Sequence, residues 1–266
     1  MRIGITGCAG RMGRMLLQAV LTTPGASLAG GIERPGHPAL GEDVGTLAGR
    51  APVQLAVGSD ADALFTAADV VIDFSAPAAV MTNAPLAAAH GTALVVGTTG
   101  LGVTHREALL AAAQAVPVVV AANMSVGVNL LLGLTRRVAG ILGPDWDIEI
   151  VEMHHRHKVD APSGTALALG EVAAAGRGVS LEEAAVRRRD GHTGERPAGA
   201  IGFATLRGGD VVGEHTVIFA GEGERLELTH KAGSRAIFAA GAVRAALWCE
   251  GRAPGVYGMP DVLGLN

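Results

Sequence analysis

Aromatic residues are nearly missing from this chain: Phe, Trp and Tyr make up 3% of 266 residues, although apolar residues reach 49%. Its core must therefore be built mostly from Ala, Val, Leu and Ile. Cysteine is scarce too. Cys8 and Cys249 cannot make a disulfide framework or a CxxC site, and they read as buried or incidental thiols in a reducing compartment. Excess positive charge is absent: the net charge is −4 and no stretch forms a basic tail, which removes any bulk attraction to nucleic acid. An uninterrupted greasy run is also lacking. The longest candidate, Val116 to Leu134, is broken by Pro117, Asn123, Ser125, Gly127 and Asn129, so it reads as strand, polar turn and helix rather than a membrane span. The opening residues turn at Gly7 before a signal-peptide core could form. The expectation is a cytoplasmic protein with no membrane partner. What the chain has in quantity is glycine, 39 residues, implying many tight turns and close backbone approaches.

Arg2 to Thr6 has the pattern of a short buried strand, and Arg14 to Leu21 that of a helix. Between them lie Gly7, Gly10 and Gly13. Strand, glycine turn and helix in that order suit a pyrophosphate, because the backbone can approach it closely and the helix start offers free N–H groups. The spacing is GxxGxxG, a variant of the usual fingerprint, and many such turns bind nothing. A second strand, Ser27 to Ile32, strengthens the reading. It ends at Glu33, twenty positions past Gly13, where a carboxylate can accept from an adenosine ribose. Arg34 follows, and its guanidinium could pair with a 2′-phosphate. The expected cofactors are NADH, NADPH or both, with a solvated loop arginine as the alternative for Arg34.

Alternation continues. Strands are expected at Val53 to Val57, Asp69 to Ser75, Ala93 to Val96 and Val116 to Ala121. Helices are expected at Ser59 to Thr66, Pro77 to His90 and Thr104 to Ala115. This predicts an α/β fold with a doubly wound parallel sheet. Ligands bind such sheets beyond the strand C-termini, which adds the loops Gly97-Thr98-Thr99-Gly100 and Ala121-Ala122-Asn123-Met124. Either loop could equally be an ordinary connection. Past Met124 come a long apolar helix, Val126 to Leu142, and a strand, Asp147 to Met153. A loose charged segment follows at Arg187 to Pro197. Three strands, Ala200 to Leu206, Asp210 to Ala220 and Arg225 to Lys231, suggest an antiparallel or mixed sheet. A final helix, Ser234 to Glu250 with Ser234 as N-cap, is expected to return to the first domain. The predicted boundaries are 1–125 with 234–266 for the dinucleotide domain, and 126–233 for a smaller α+β domain that binds substrate.

The stretch from Glu152 to Thr165 is the least ordinary. His154, His155, Arg156, His157 and Lys158 are consecutive. Asp160-Ala-Pro162 then turns into Ser163-Gly164-Thr165, which opens a helix running to about Ala175. A metal site is disfavoured: adjacent histidines on a strand point to opposite faces, and Arg156 and Lys158 would crowd a cation with like charge. A solvated basic turn is the plain alternative. Against it, cationic side chains beside a helix start make a carboxylate site, and a histidine there can also transfer a proton. The residues thus point to a nicotinamide-dependent reductase of a small carboxylate with a reducible C=C or C=N bond. Hydride would come from the first domain, and proton donation and anion binding from the second.

The whole run from Glu152 to Thr165 resembles the signature of the 4-hydroxy-tetrahydrodipicolinate reductase (dihydrodipicolinate reductase) family. Gly10-Arg-Met-Gly13, Gly97 to Gly100, Ala122 to Gly127, Gly191-His-Thr-Gly-Glu-Arg196 and Gly202-Phe203 support it. The resemblance implies a Rossmann-like first domain. It implies NAD(P)H held by Gly7, Cys8, Ala9, Gly10, Arg11, Met12, Glu33, Arg34, Gly97, Thr98, Thr99, Ala121, Ala122, Asn123 and Met124. It assigns proton donation to His154 and a catalytic, substrate-pairing role to Lys158. His155, Ser163, Gly164 and Thr165 would contact the substrate carboxylates. The implied substrate is a small dicarboxylate and the implied assembly a homotetramer built through the second-domain sheet. The chain departs from the family pattern at Met124, where phenylalanine is common, and at Cys8, usually alanine. Rival readings are a two-domain reductase of another amino or imino acid, a non-catalytic NAD(P) sensor, and a metal hydrolase.

Overall fold

A computed structural model describes residues 1–265. The chain begins with β1 (Arg2–Thr6), α1 (Arg11–Thr22), β2 (Ser27–Ile32), α2 (Val44–Leu47), α3 (Ala61–Ala67), β3 (Val70–Asp73), α4 (Pro77–His90), β4 (Ala93–Val96), α5 (Val103–Ala112) and β5 (Pro117–Val120). It continues with α6 (Val126–Leu142), β6 (Asp147–His154), α7 (Gly164–Arg177), α8 (Leu181–Ala184), β7 (Ala185–Val186), β8 (Ile201–Arg207), β9 (Gly213–Ala220) and β10 (Arg225–Ala232). It ends with α9 (Ala236–Trp248), β11 (Gly255–Tyr257) and α10 (Met259–Leu263). Two compact units result: Met1–Val126 with Ala236–Gly264, and Gly127–Arg235.

The first unit carries a six-stranded sheet in the order β11-β5-β4-β3-β1-β2, parallel at every pairing. Both faces are covered, which is why its strands are continuous apolar runs rather than alternating ones. Ile3, Ile5, Val70, Ile72, Val95 and Val119 pack with residues of α1 and α9. Val71, Leu94, Val96 and Val118 pack with α3, α4 and α5. β1 has β2 on one side and β3 on the other, so the winding reverses there. The C-terminal ends of β1 and β3 form the switch point where such sheets take ligands.

Two expectations about strands need correcting. Val53 to Val57 is not a strand; only Ala56 and Gly58 make isolated bridges. The Asp43 carboxylate accepts the Val53 and Leu55 amides that a ladder would have used, and Gln54 has φ of 61°, incompatible with extended pairing. Conversely, β11 adds an edge strand in what reads as tail sequence, parallel to β5. The last helix begins at Ala236, two residues beyond Ser234.

The second unit holds a five-stranded mixed sheet, β10-β9-β6-β8-β7. β6 runs parallel to β8 and antiparallel to β9. Ile148, Ile150, Phe203, Val217 and Phe219 face α6 and α7 in one apolar core. The charged Arg187–Pro197 segment is tied down by ion pairs. Arg189 grips Glu149 with two bonds of 2.8 Å, and Arg196 reaches Asp147 at 2.6 Å and Glu149 at 3.0 Å. Gly202 makes room for that carboxylate, because a Cβ there would run into Glu149.

Candidate functional site

In the first unit, the turn after β1 is made almost wholly of main chain. Gly7 has φ of +64°, a conformation that favours glycine. A Cβ on Gly13 would run into the Gly7 carbonyl, so only glycine lets α1 start so close to β1. The N-cap of α1 is Gly10, with no side-chain cap bond, which leaves first-turn N–H groups for an anion. Glu33 reaches the same turn: its carboxylate accepts the Ala9 amide at 2.9 Å. Arg34 is exposed beside it. Cys8 can offer only backbone, since its buried side chain packs against Gly31; burial, helped by the Glu33 charge, pushes its thiol up to about 12. These features fit a pyrophosphate at the helix start and a ribose hydroxyl at Glu33.

Next to the turn, a cavity of about 460 Å³ is lined by Met12, Phe74, Ser75, Pro77, Gly97, Thr98, Thr99, Ala122, Asn123, Met124 and Phe238, among others. The structure therefore brings the 97–99 and 122–124 loops to one cavity with Met12. Phe74, Ser75 and Phe238 were not foreseen. Their organiser is Asp73, a fully buried carboxylate at the end of β3. It accepts the Ser75 amide and hydroxyl at 2.9 and 2.5 Å, Asn83 Nδ2 at 2.8 Å and the Thr98 hydroxyl at 3.3 Å. One acid thus fixes two loops and a helix around the cavity. Its sequence signal was an aspartate closing an otherwise apolar strand.

In the second unit the organiser is Glu152. Along β6 the inward positions are Ile148, Ile150 and Glu152, so a carboxylate takes a core position and must be paired. Its side chain is 1% exposed. Oε2 accepts His154 Nδ1 at 2.6 Å, Oε1 accepts the Ser163 amide at 3.0 Å, and the Arg207 guanidinium donates to both oxygens at 2.8 and 2.9 Å. Burial by itself would raise the Glu152 pKa; bonds from Arg207, His154 and Ser163 outweigh it, and the net shift is downward. An ionised carboxylate only accepts. His154 therefore carries a proton on Nδ1 and leaves Nε2 for exchange. The His154 pKa is lowered, burial outweighing the pull of Glu152.

Sheet register brings in two partners from distant sequence. Arg207 lies opposite His154 on β8, and His215 lies opposite Glu152 on β9. His215 is 4% exposed, with Nε2 3.0 Å from the Ser163 hydroxyl and its ring edge-on to His154 at 5.1 Å. Ser163 caps α7 by accepting the Ala166 amide at 3.1 Å. Neither Arg207 nor His215 was among the expected site residues, and Glu152 had no assigned role.

The remaining expected residues divide. Lys158 holds Asp160 through two bonds of 2.7 and 2.8 Å. His155 is anchored by its amide to the Val211 carbonyl at 2.7 Å, and its Nδ1 is buried without a partner. Gly164 is exposed at the helix start, with open space where a Cβ would be. Arg156 and His157 are exposed. Among the described residues no group of three or more His, Cys, Asp or Glu is placed to hold a metal ion, and no helix is long and apolar enough to cross a membrane.

Comparison with known proteins matches both units. The family described as "Dihydrodipicolinate reductase, N-terminus" covers residues 1–124, and "Dihydrodipicolinate reductase, C-terminus" covers residues 127–263. The 4-hydroxy-tetrahydrodipicolinate reductase of Parvibaculum lavamentivorans is 58% identical over 100% of this chain and 98% of its own. That of Methylocella silvestris is 56% identical over the same shares. Among solved structures, a dipicolinate-bound dihydrodipicolinate reductase from a Paenisporosarcina species has the same fold, with TM-score 0.78 at 24% identity over 98% of each chain. With matches to both halves and full-length relatives above half identity, the chain belongs to the dihydrodipicolinate reductase family.

Proposed function

We propose that this chain reduces 4-hydroxy-tetrahydrodipicolinate to tetrahydrodipicolinate with NADH or NADPH, in the biosynthesis of diaminopimelate and lysine. The observation that carries the reading is the Glu152 carboxylate, which holds His154 and the start of α7 in one constellation. Reduced nicotinamide, when bound, supplies hydride. The first unit holds it through Gly7 to Met12, Glu33, Arg34, Gly97 to Thr99 and Ala121 to Met124. Glu33 suits a free 2′-hydroxyl and Arg34 a 2′-phosphate, which supports use of both cofactors.

The second unit supplies the remaining chemistry. The substrate carboxylates are taken by His155, Lys158 and the Ser163–Thr165 helix start. Lys158 reaches its carboxylate by exchanging Asp160, an exposed loop partner that holds it weakly. The 4-hydroxyl leaves as water, hydride adds to the resulting unsaturated imine, and a proton returns from His154 or Lys158. Arrival of a dianion favours imidazolium at His154, countering the burial that lowers its pKa.

The reading includes a cytoplasmic homotetramer joined through the outer face of the second sheet. Val151, Met153, Ile218 and Leu206 lie on that face, and Leu206 is 49% exposed. Sedimentation should give four copies; a monomer at working concentration would remove the assembly part. The functional test is oxidation of NADH and of NADPH on adding freshly generated substrate. No turnover with either sinks the reading, and strict use of one sinks the dual-cofactor part. His154→Gln should lower kcat by roughly tenfold to ten-thousandfold. Lys158→Ala should raise KM as well as lower kcat; normal KM would contradict its anchoring role.

A further inference from the structure

The Ser163 hydroxyl has a neighbour that the proposed reaction does not use. His215 Nε2 lies 3.0 Å from Ser163 Oγ, while His215 Nδ1 is buried with no partner. Two neutral tautomers are possible. If Nδ1 carried the proton, a buried N–H donor would be orphaned. If Nε2 carries it, the orphan is a lone pair, and under-satisfied acceptors are better tolerated than orphaned N–H groups. The network therefore selects Nε2–H, donating to Ser163 Oγ.

The consequence falls on Ser163. Its oxygen already accepts the Ala166 amide. A second bond accepted from His215 fills its remaining lone pair, so its own O–H hydrogen must point elsewhere. The opposite tautomer would turn the hydroxyl hydrogen back onto His215 and leave a lone pair at the helix start. That lone pair would repel a carboxylate.

We propose that His215 is a positioning residue: by donating to Ser163 Oγ it makes the Ser163 hydroxyl a donor, and so sets the start of α7 to bind the substrate carboxylate. This rests on the reductase reading above for the identity of the anion. Burial, seconded by the neighbouring His154, pushes His215 down to about 4, so it stays neutral across the working range. Its cross-strand neighbours are Glu152 on β6 and His230 on β10, and its ring hydrogen-bonds to Ser163.

The first test needs no variant. The ¹⁵N shifts of His215 in labelled wild-type protein should show the Nε2–H tautomer; the Nδ1–H tautomer would overturn the proposal. The second uses dipicolinate, the ligand of the solved relative, as the probe. His215→Phe keeps a ring beside His154 but removes the donor, and should weaken dipicolinate binding and raise KM by roughly ten- to hundredfold, with kcat changed far less. His215→Gln, which returns an N–H at similar reach, should restore most of the affinity. In a Ser163→Ala background His215→Phe should cost nothing further, because the effect passes through that hydroxyl. Wild-type dipicolinate affinity in His215→Phe, no rescue by Gln, or an equal loss in the Ser163→Ala background would each overturn it. A wild-type protein that bound dipicolinate but turned over no substrate would instead sink the reductase reading, leaving the tautomer and affinity results to decide this one.

Discussion

The turn in the first unit presents main chain, whereas the cluster in the second is built from side chains. Around Gly7 to Gly13 the working groups are amides, and the sequence supplies only the absence of Cβ atoms. Around Glu152 the working groups are one buried carboxylate, two imidazoles, a guanidinium and a serine. The first arrangement is local and continuous, and it fails by crowding. The second is assembled across three strands and a helix start, and it fails when one charge is left unpaired.

The sharpest way to break the comparison is to remove Glu152. Glu152→Ala should lose about 3–5 kcal/mol, because Arg207 and the Ser163 amide lose a buried partner together. It should also lower kcat by roughly a hundredfold or more, because His154 loses the group that fixes its proton on Nδ1. Denaturant unfolding and turnover read the two effects. A stability within about 1 kcal/mol of wild type would show that the cluster is not held by its carboxylate.

The matching change in the first unit is Gly13→Ala. One methyl group would press on the Gly7 carbonyl, and overpacking of about 1–3 kcal/mol should weaken NADPH binding roughly ten- to hundredfold. Dipicolinate affinity measured without cofactor should stay as in wild type. Loss of both would mean that the two arrangements are not separable in the way their construction suggests.

Acid should separate the units as well. The histidines with depressed pKa values, His154, His215 and His230, all lie in the second unit. For a depressed histidine the unfolded chain takes up its proton first, near the ordinary value of about 6.5. Stability is then full above that value and falls as pH drops. For His215 the loss runs from about 6.5 down to its folded value of about 4, at up to about 1.4 kcal/mol per pH unit. Glu152, also depressed, adds to the loss only below the ordinary carboxylate range. The second unit should therefore loosen first between pH 6.5 and 4, visible as earlier amide exchange in β6 and β9 than in β1 and β3. Simultaneous loosening of both sheets would contradict this.

The same contrast explains what could be read from sequence. The glycine turn was legible because a main-chain site is contiguous: strand, glycines, helix and Glu33 lie in one stretch. The His154–Thr165 run was legible for the same reason. Arg207 and His215 were not, because they arrive through strand register, 55 positions from Glu152 and 52 from Ser163. Glu152 itself left a usable signal, an acid in the inward parity of β6. The sheet was legible where helices separate apolar runs. It was not at Val53 to Val57, where one carboxylate, Asp43, captured the amides of a strand-like sequence, nor at β11, whose three residues carry no periodicity.

The smallest expected effect concerns Asp160. Its pair with Lys158 spans two positions in one loop, and the Asp160 side chain is 55% exposed, so it should contribute less than about 1 kcal/mol to stability. Its interest is that it competes. If Lys158 must leave Asp160 to grip a substrate carboxylate, Asp160→Asn removes the rival and should lower KM roughly two- to fivefold, the equivalent of about 0.4–1 kcal/mol. The Asp160 carbonyl would still accept from Arg207, so the loop keeps its anchor to the Glu152 cluster. A higher KM would reverse the assignment, making Asp160 the group that aims Lys158. The second site would then rely on a solvent-exposed charge as well as its buried one.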